Sequence, residues 1–297
     1  MTTTYGPSAL RRRSTKADLA SLDDALLELI AQAGPPVTAR QVYYMAAGRQ
    51  LVSKDDRGYR QILRRLSSLR EIERLPWDWI ADNTRWVRRR RSYANLDEAI
   101  TEWQATYRRD YWLDQPRRLE LWVESDSIAS FIHDSIYRLG VPLYVCRGQA
   151  SRTYIRAAVD DARQDGKPVD ILYVGDFDPS GLAIDRSLID RYSEFGQDVD
   201  VQLARIALTA DQILEHQLEG NPAKRGDPNF ARFEETCQAL GIAPLAYETE
   251  ALPAAELRSI VANAVWDHVD LELWHAIHKY EDVERAQLAA LLDRTIA

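Results

Sequence analysis

The chain has 297 residues, 45% of them hydrophobic and 28% charged, with 13 Gly and 12 Pro. That length leaves room for two domains with substantial cores, and the composition excludes a small stapled module, a fibrous repeat and a disordered segment. The net charge of −8 is unevenly divided: residues 1–118 carry 22 Lys+Arg against 15 Asp+Glu, and residues 119–297 carry 16 against 31. A basic half suits a polyanion, whereas an acidic half repels one unless some carboxylates hold cations, so the pattern suggests nucleic acid plus a divalent metal. Two solvated surfaces of unlike composition are the plainer alternative. Cys146 and Cys237 are too few for a disulfide framework or a Cys-rich zinc site. The opening MTTTYGPSALRRR has no apolar signal stretch, and no run approaches the roughly eighteen apolar residues of a membrane span, so a cytoplasmic protein without membrane function is expected.

Residues 1–16 read as a loose basic leader containing Arg11, Arg12, Arg13 and Lys16. Leu19, Leu22, Ala25, Leu26, Leu29 and Ile30 then recur at helical spacing until Gly34-Pro35-Pro36 stops the helix. Thr38 reads as the N-cap of a helix over 39–48, and Tyr59, Ile62, Leu63, Leu66 and Leu69 predict another over about 55–71. Residues 72–93 break the period and end in Arg88, Arg89, Arg90 and Arg91, with Trp77, Trp79 and Trp86 nearby. Residues 17–116 are read as a winged helix-turn-helix domain with a basic wing, its last element an amphipathic helix over 95–109 that leads to a boundary at Pro116.

From 117 to 297 the pattern alternates: strands at 119–123, 142–145, 170–175 and 201–206, and helices at 126–139, 151–164 and 180–193. This predicts an α/β fold, a parallel sheet with helices on its faces and a largely helical C-terminal extension containing one short strand, 244–248. Ligands of such sheets sit at the carboxyl ends of the strands. Glu124 directly follows the first strand, and Asp176-Phe177-Asp178-Pro179-Ser180-Gly181 directly follows the third. Three carboxylates at one sheet edge repel one another, and an oxygen-only set favours Mg2+ or Mn2+. Helix capping and turn formation are the structural alternative. A dehalogenase-type phosphatase is a further enzymatic one, though Ser180 stands where its nucleophile motif ends in Thr or Val.

WVESDSIASFI (122–132) followed by YVGDFDPSGLAI (173–184) resembles the TOPRIM domain of topoisomerases, primases and some nucleases. The Asp-Pro-x-Gly extension is similar to that of the topoisomerase VI A subunit and the related meiotic double-strand-break transesterase. That resemblance implies a preceding winged-helix domain with a catalytic tyrosine in an Arg-(Asp/Glu)-x-(Tyr/Phe)-Tyr motif. Arg40-Gln41-Val42-Tyr43-Tyr44 stands in the expected place, with Gln41 where the family has an acid. The resemblance implies that Tyr44 is the nucleophile, Arg40 its phosphate clamp and Glu124, Asp176 and Asp178 the metal ligands, with Gly148 a turn glycine near the site.

A phenol with a pKa near 10 needs nearby positive charge to act at neutral pH. Arg40, four residues before Tyr44, shares a helical face with it, whereas Tyr43 points elsewhere and suits packing. The implied activity is a type IIB topoisomerase-like transesterification that cuts double-stranded DNA through a 5′-phosphotyrosyl link. The implied assembly is a nucleoid-associated homodimer, with any ATPase supplied by a separate B-type subunit. A TOPRIM nuclease using water, or a DNA-binding protein with a degenerate TOPRIM, remain alternatives. Arg88–Arg91 suit phosphate contacts. Asp126 suits a helix cap or an outer metal contact, and His275, His278 and Glu281 have a spacing that can hold zinc, although without a fourth ligand an exposed helix face is the favoured reading.

Overall fold

The computed structural model describes residues 15–81 and 91–296, which form two compact units dividing after Ile80. The first 14 residues of the leader, and Arg88, Arg89 and Arg90, lie outside the described residues.

In the first unit, Thr15 closes a reciprocal capping box with Asp18 and opens α1 (Lys16–Ala33). β1 (Val37–Thr38) leads into α2 (Ala39–Gly48), where Thr38 and Gln41 form a second capping box: the amide of Gln41 donates to Thr38 Oγ1 at 3.2 Å and the amide of Thr38 to Gln41 Oε1 at 2.8 Å. Such a cap contributes about 1 kcal/mol. α3 (Asp56–Glu71) follows, capped by Asp55, and after a short 3-10 turn β2 (Ile80–Ala81) pairs with β1. Leu26, Ile30, Val42, Ala46, Ile62, Leu66 and Leu69 fill the space between the helices. Asp23, almost fully buried, is held by Arg65 through bonds of 2.7 and 2.5 Å.

The second unit begins with α4 (Leu96–Thr106), which packs against the C-terminal helix of the chain and so counts with this unit. Its centre is β3 (Arg118–Val123), α5 (Asp126–Tyr137), β4 (Leu143–Val145), α6 (Arg152–Asp165), β5 (Val169–Val174), α7 (Gly181–Phe195) and β6 (Val201–Ala207). The four strands form an all-parallel sheet in the order β4-β3-β5-β6. α8 (Ala210–Glu215), β7 (Asn221–Pro222), α9 (Phe230–Leu240), β8 (Leu245–Ala246), α10 (Ala254–Trp266) and α11 (Leu271–Ile296) complete the chain. Among the described residues no helix is long and apolar enough to cross a membrane.

Period-two alternation along the strands sorts side chains between two helical layers. Trp122, Val169, Ile171 and Tyr173 pack with Ile155, Val159, Ile184 and Leu188 of α6 and α7, while α5 and α10 pack together on the other face. Glu120, in the middle of β3, is wholly buried. Its carboxylate accepts from Arg118 Nε at 2.8 Å, Trp122 Nε1 at 2.9 Å and the Tyr192 hydroxyl at 3.2 Å, which satisfies a group that burial otherwise penalises. The predicted strand at 244–248 shortens to Leu245–Ala246, because Tyr247 leaves β7 and pairs instead with Phe177.

Candidate active site

β3 and β5 are neighbours, but the connection from β3 leads to β4 on one side and that from β5 to β6 on the other. A crevice opens outside the carboxyl ends of strands at such a switch point. Glu124 continues β3, its amide donating to the Val174 carbonyl at 3.0 Å. Gly148, at a positive φ of 85° that favours glycine, donates its amide to the Glu124 carbonyl at 3.3 Å and turns the chain after β4 toward the crevice.

Each of the three carboxylates has a backbone donor. Glu124 Oε2 accepts from the Asp176 amide at 2.9 Å, Asp176 Oδ1 from the Thr249 amide at 2.8 Å and Asp178 Oδ1 from the Gly181 amide at 2.6 Å. Capping and turn formation, the structural alternative for these residues, therefore account for part of what they do. Gly181 is required here: a Cβ on it would stand 2.2 Å from the Asp176 carbonyl oxygen.

Burial pushes the Glu124 carboxyl up to about 7, with the charges of Asp176 and Asp178 adding to it, against the Asp176 amide and the Arg205 guanidinium. A group whose folded pKa lies above its ordinary 4.5 stabilises the fold fully below 4.5 and loses that contribution as pH rises to about 7. In metal-free protein this loss is expected to amount to about 3 kcal/mol. Urea unfolding between pH 4.5 and 7.5 in EDTA should show wild type losing stability relative to Glu124→Gln; parallel curves would exclude it.

Among the described residues, no three Asp, Glu, His or Cys side chains stand close enough to share an ion as they lie. Glu124, Asp176 and Asp178 are linked by charge and by the Glu124–Asp176 hydrogen bond. The donor set nevertheless fits a hard divalent cation, being all oxygen and mutually repulsive. One wholly buried hydroxyl adjoins it without a hydrogen-bond partner: Tyr173 Oη, which with Glu124 Oε2 lies within 2.8 Å of where a Gly175 Cβ would stand. Such groups cost about 1–3 kcal/mol until a partner satisfies them.

Arg205 on β6 fixes the loop that carries Asp176 and Asp178. Its Nε pairs with Asp185 Oδ2 at 2.8 Å, Nη1 donates to the carbonyls of Gly175 at 2.8 Å and Asp176 at 3.2 Å, and Nη2 to that of Gly181 at 2.9 Å. The guanidinium carbon also lies 5.0 Å from the centre of the Tyr173 ring.

In the first unit, Arg40 and Tyr44 lie one turn apart on α2. Arg40 Nη2 donates to the Tyr44 hydroxyl at 3.3 Å, and its guanidinium carbon is 5.8 Å from the ring centre. Arg40 is exposed and Tyr44 half-buried. Tyr43 is buried: its hydroxyl donates to the Asp55 carbonyl at 3.4 Å and its ring meets Tyr59 edge-on. Gln41 is buried and engaged in the helix cap.

The remaining predicted residues have plainer roles. Arg91 pairs with Glu102. Asp126 opens α5 and pairs with Arg147 at 2.8 Å, while Ser125 supplies the cap. His275, His278 and Glu281 do not converge on an ion: His278 stacks on Tyr111 with ring centres 4.4 Å apart, and Glu281 accepts from the Arg109 amide at 2.9 Å. Sequence reasoning missed Arg205 and Thr249, and it missed Arg57, Arg60 and Arg64, which are exposed along α3 at i, i+3 and i+7. That last spacing was a readable signal. Among known proteins, no family model matches the chain, and no curated sequence shows significant similarity to it.

Proposed function

We propose that this chain is a DNA transesterase of the topoisomerase VI A-subunit type, with a winged-helix first unit carrying the tyrosine and a TOPRIM second unit carrying the metal ligands. The observation that carries the reading is the Arg40–Tyr44 pair, a guanidinium held on the hydroxyl that would act as nucleophile. Tyr44 Oη forms a bond to a backbone phosphorus, the bond from phosphorus to the 3′-oxygen breaks, and the proton lost by the phenol is balanced by the one the departing 3′-oxygen takes up. The product is a 5′-phosphotyrosyl link and a free 3′-hydroxyl. Arg40 stabilises the phenolate and the charge on the non-bridging oxygens, an arrangement that acts most strongly in the transition state.

Glu124, Asp176 and Asp178 would hold Mg2+ or Mn2+. When bound, such an ion would supply Lewis-acid stabilisation of developing negative charge on oxygen. Arg57, Arg60 and Arg64, together with Arg88–Arg90 and with Arg91, whose charge Glu102 partly offsets, provide positive charge for the phosphates of double-stranded DNA. Breaking both strands needs two tyrosines and so a homodimer, and ATP coupling, where it occurs, belongs to a separate B-type subunit. A cytoplasmic, nucleoid-associated protein accords with this reading.

A second reading, a nuclease in which metal-activated water does the chemistry and Tyr44 is structural, draws on the Glu124 carboxylate and the Asp176 amide meeting at 2.9 Å on the same sheet rim. Arg40 separates the two. Under the transesterase reading, Arg40→Ala is expected to lower plasmid cleavage about 10²–10³-fold, as loss of a transition-state donor does, while DNA affinity in filter binding changes only a few-fold. Unchanged cleavage in Arg40→Ala would favour the nuclease.

A further inference from the structure

The segment Tyr247–Ala251 lies far along the chain from the Asp-Phe-Asp loop yet is stitched to it. Phe177 and Tyr247 exchange both backbone bonds, at 2.9 and 3.0 Å, and two residues on the Thr249 amide reaches Asp176 Oδ1 at 2.8 Å. This last bond goes to a side chain, so it does not extend the strand pairing. Thr249 is fully buried, and the segment is anchored beyond it by Leu252 and Leu257, both buried, the latter on α10.

We propose that Thr249 is a positioning residue for the metal site, its main-chain N–H fixing the orientation of the Asp176 carboxylate; this rests on the metal-binding reading above. A peptide N–H suits the task because it orients a carboxylate without neutralising it. A lysine or arginine in the same place would compete with the cation. Partners of this kind, which touch a ligand and not the metal, typically govern affinity by 10–100-fold.

The local backbone allows a test. Thr249 opens a 3-10 turn, where φ is close to the value proline imposes, and Glu248 before it is extended at φ −92° and ψ 138°, as a residue preceding proline prefers. Thr249→Pro therefore deletes the donor at a position whose backbone suits proline, and it sets the ring Cδ against the Asp176 carboxylate, so both changes release that carboxylate from its present orientation. Thr249→Val keeps the donor and removes only the hydroxyl. Binding of Mn2+ alone, followed by the electron paramagnetic resonance signal of the free ion, is expected to weaken at least 10-fold in Thr249→Pro and to stay within about 2-fold of wild type in Thr249→Val.

Wild-type affinity in Thr249→Pro, or equal weakening in both variants, would overturn the proposal while leaving the metal site standing. A wild-type protein that binds no Mn2+ would overturn the metal reading and this proposal with it. A second measurement serves if Thr249→Pro fails to fold. In 15N-labelled wild type, the Thr249 amide proton should resist exchange and shift on titration with Mg2+. An amide that exchanges freely or ignores Mg2+ would overturn the assignment.

Discussion

Arg205→Ala is expected to destabilise the second unit by about 3–5 kcal/mol, the loss that follows when one partner of a buried ion pair is removed. The Arg205 side chain is 12% exposed and that of Asp185 13%, so alanine leaves a nearly dry carboxylate without its counter-charge. It also strips donors from the carbonyls of Gly175, Asp176 and Gly181. Arg205→Lys should recover only part of this, since a single ammonium cannot reproduce the fork that spans Asp185 and three carbonyls. Chemical denaturation monitored by tryptophan fluorescence gives the difference directly. A change below 1 kcal/mol in Arg205→Ala would mean that the loop is held by its own turns.

Gly181→Ala should be nearly as damaging, for a steric reason. The added carbon would sit 2.2 Å from the Asp176 carbonyl oxygen and 3.0 Å from its carbonyl carbon, both backbone atoms that no side-chain rotation can clear. Relief requires opening the turn, and that pulls Asp176 and Asp178 away from Glu124. A cost of about 1–3 kcal/mol is expected from the overpacking, with Mn2+ affinity falling more steeply than stability because the two aspartates move together. Thermal unfolding and Mn2+ titration of the same sample separate the two effects. Wild-type metal affinity in a Gly181→Ala protein would show that the carboxylates do not act as one set.

Much of the architecture was written in local pattern. The alternation of apolar runs and amphipathic helices from Leu119 to Ile206 corresponds to β3 through β6 in the structure, and Thr38 caps α2 as its position before an apolar period implied. Glu124 and the Asp-x-Asp-Pro-x-Gly turn were legible as an acidic strand edge, because residues that end adjacent parallel strands meet at one rim.

What was hidden depends on contacts between distant residues. Thr249 lies 73 positions from Asp176 and acts through its amide, which no side-chain pattern reveals. Arg205 looked like one polar residue in a strand; apart from the Leu208 carbonyl, its partners come from the preceding strand's end and from α7. Glu120 interrupts an apolar strand and is intelligible only once Arg118, Trp122 and Tyr192 are seen around it. The zinc spacing of His275, His278 and Glu281, set below an exposed helix face for want of a fourth ligand, shows the converse. A helical face brings side chains near one another, but aromatic stacking and a backbone amide had already engaged two of the three.

Attack of Tyr44 on DNA is the proposed chemistry. Supercoiled plasmid incubated with the full chain and Mg2+ or Mn2+, stopped with detergent and assayed for protein bound covalently to DNA 5′ ends, tests it most directly beside Tyr44→Phe. The substitution removes a hydroxyl from a half-buried ring and should leave folding and DNA binding intact. Attachment by wild type and none by Tyr44→Phe is the predicted result. Free-ended cleavage by both proteins would contradict it and assign the chemistry to water.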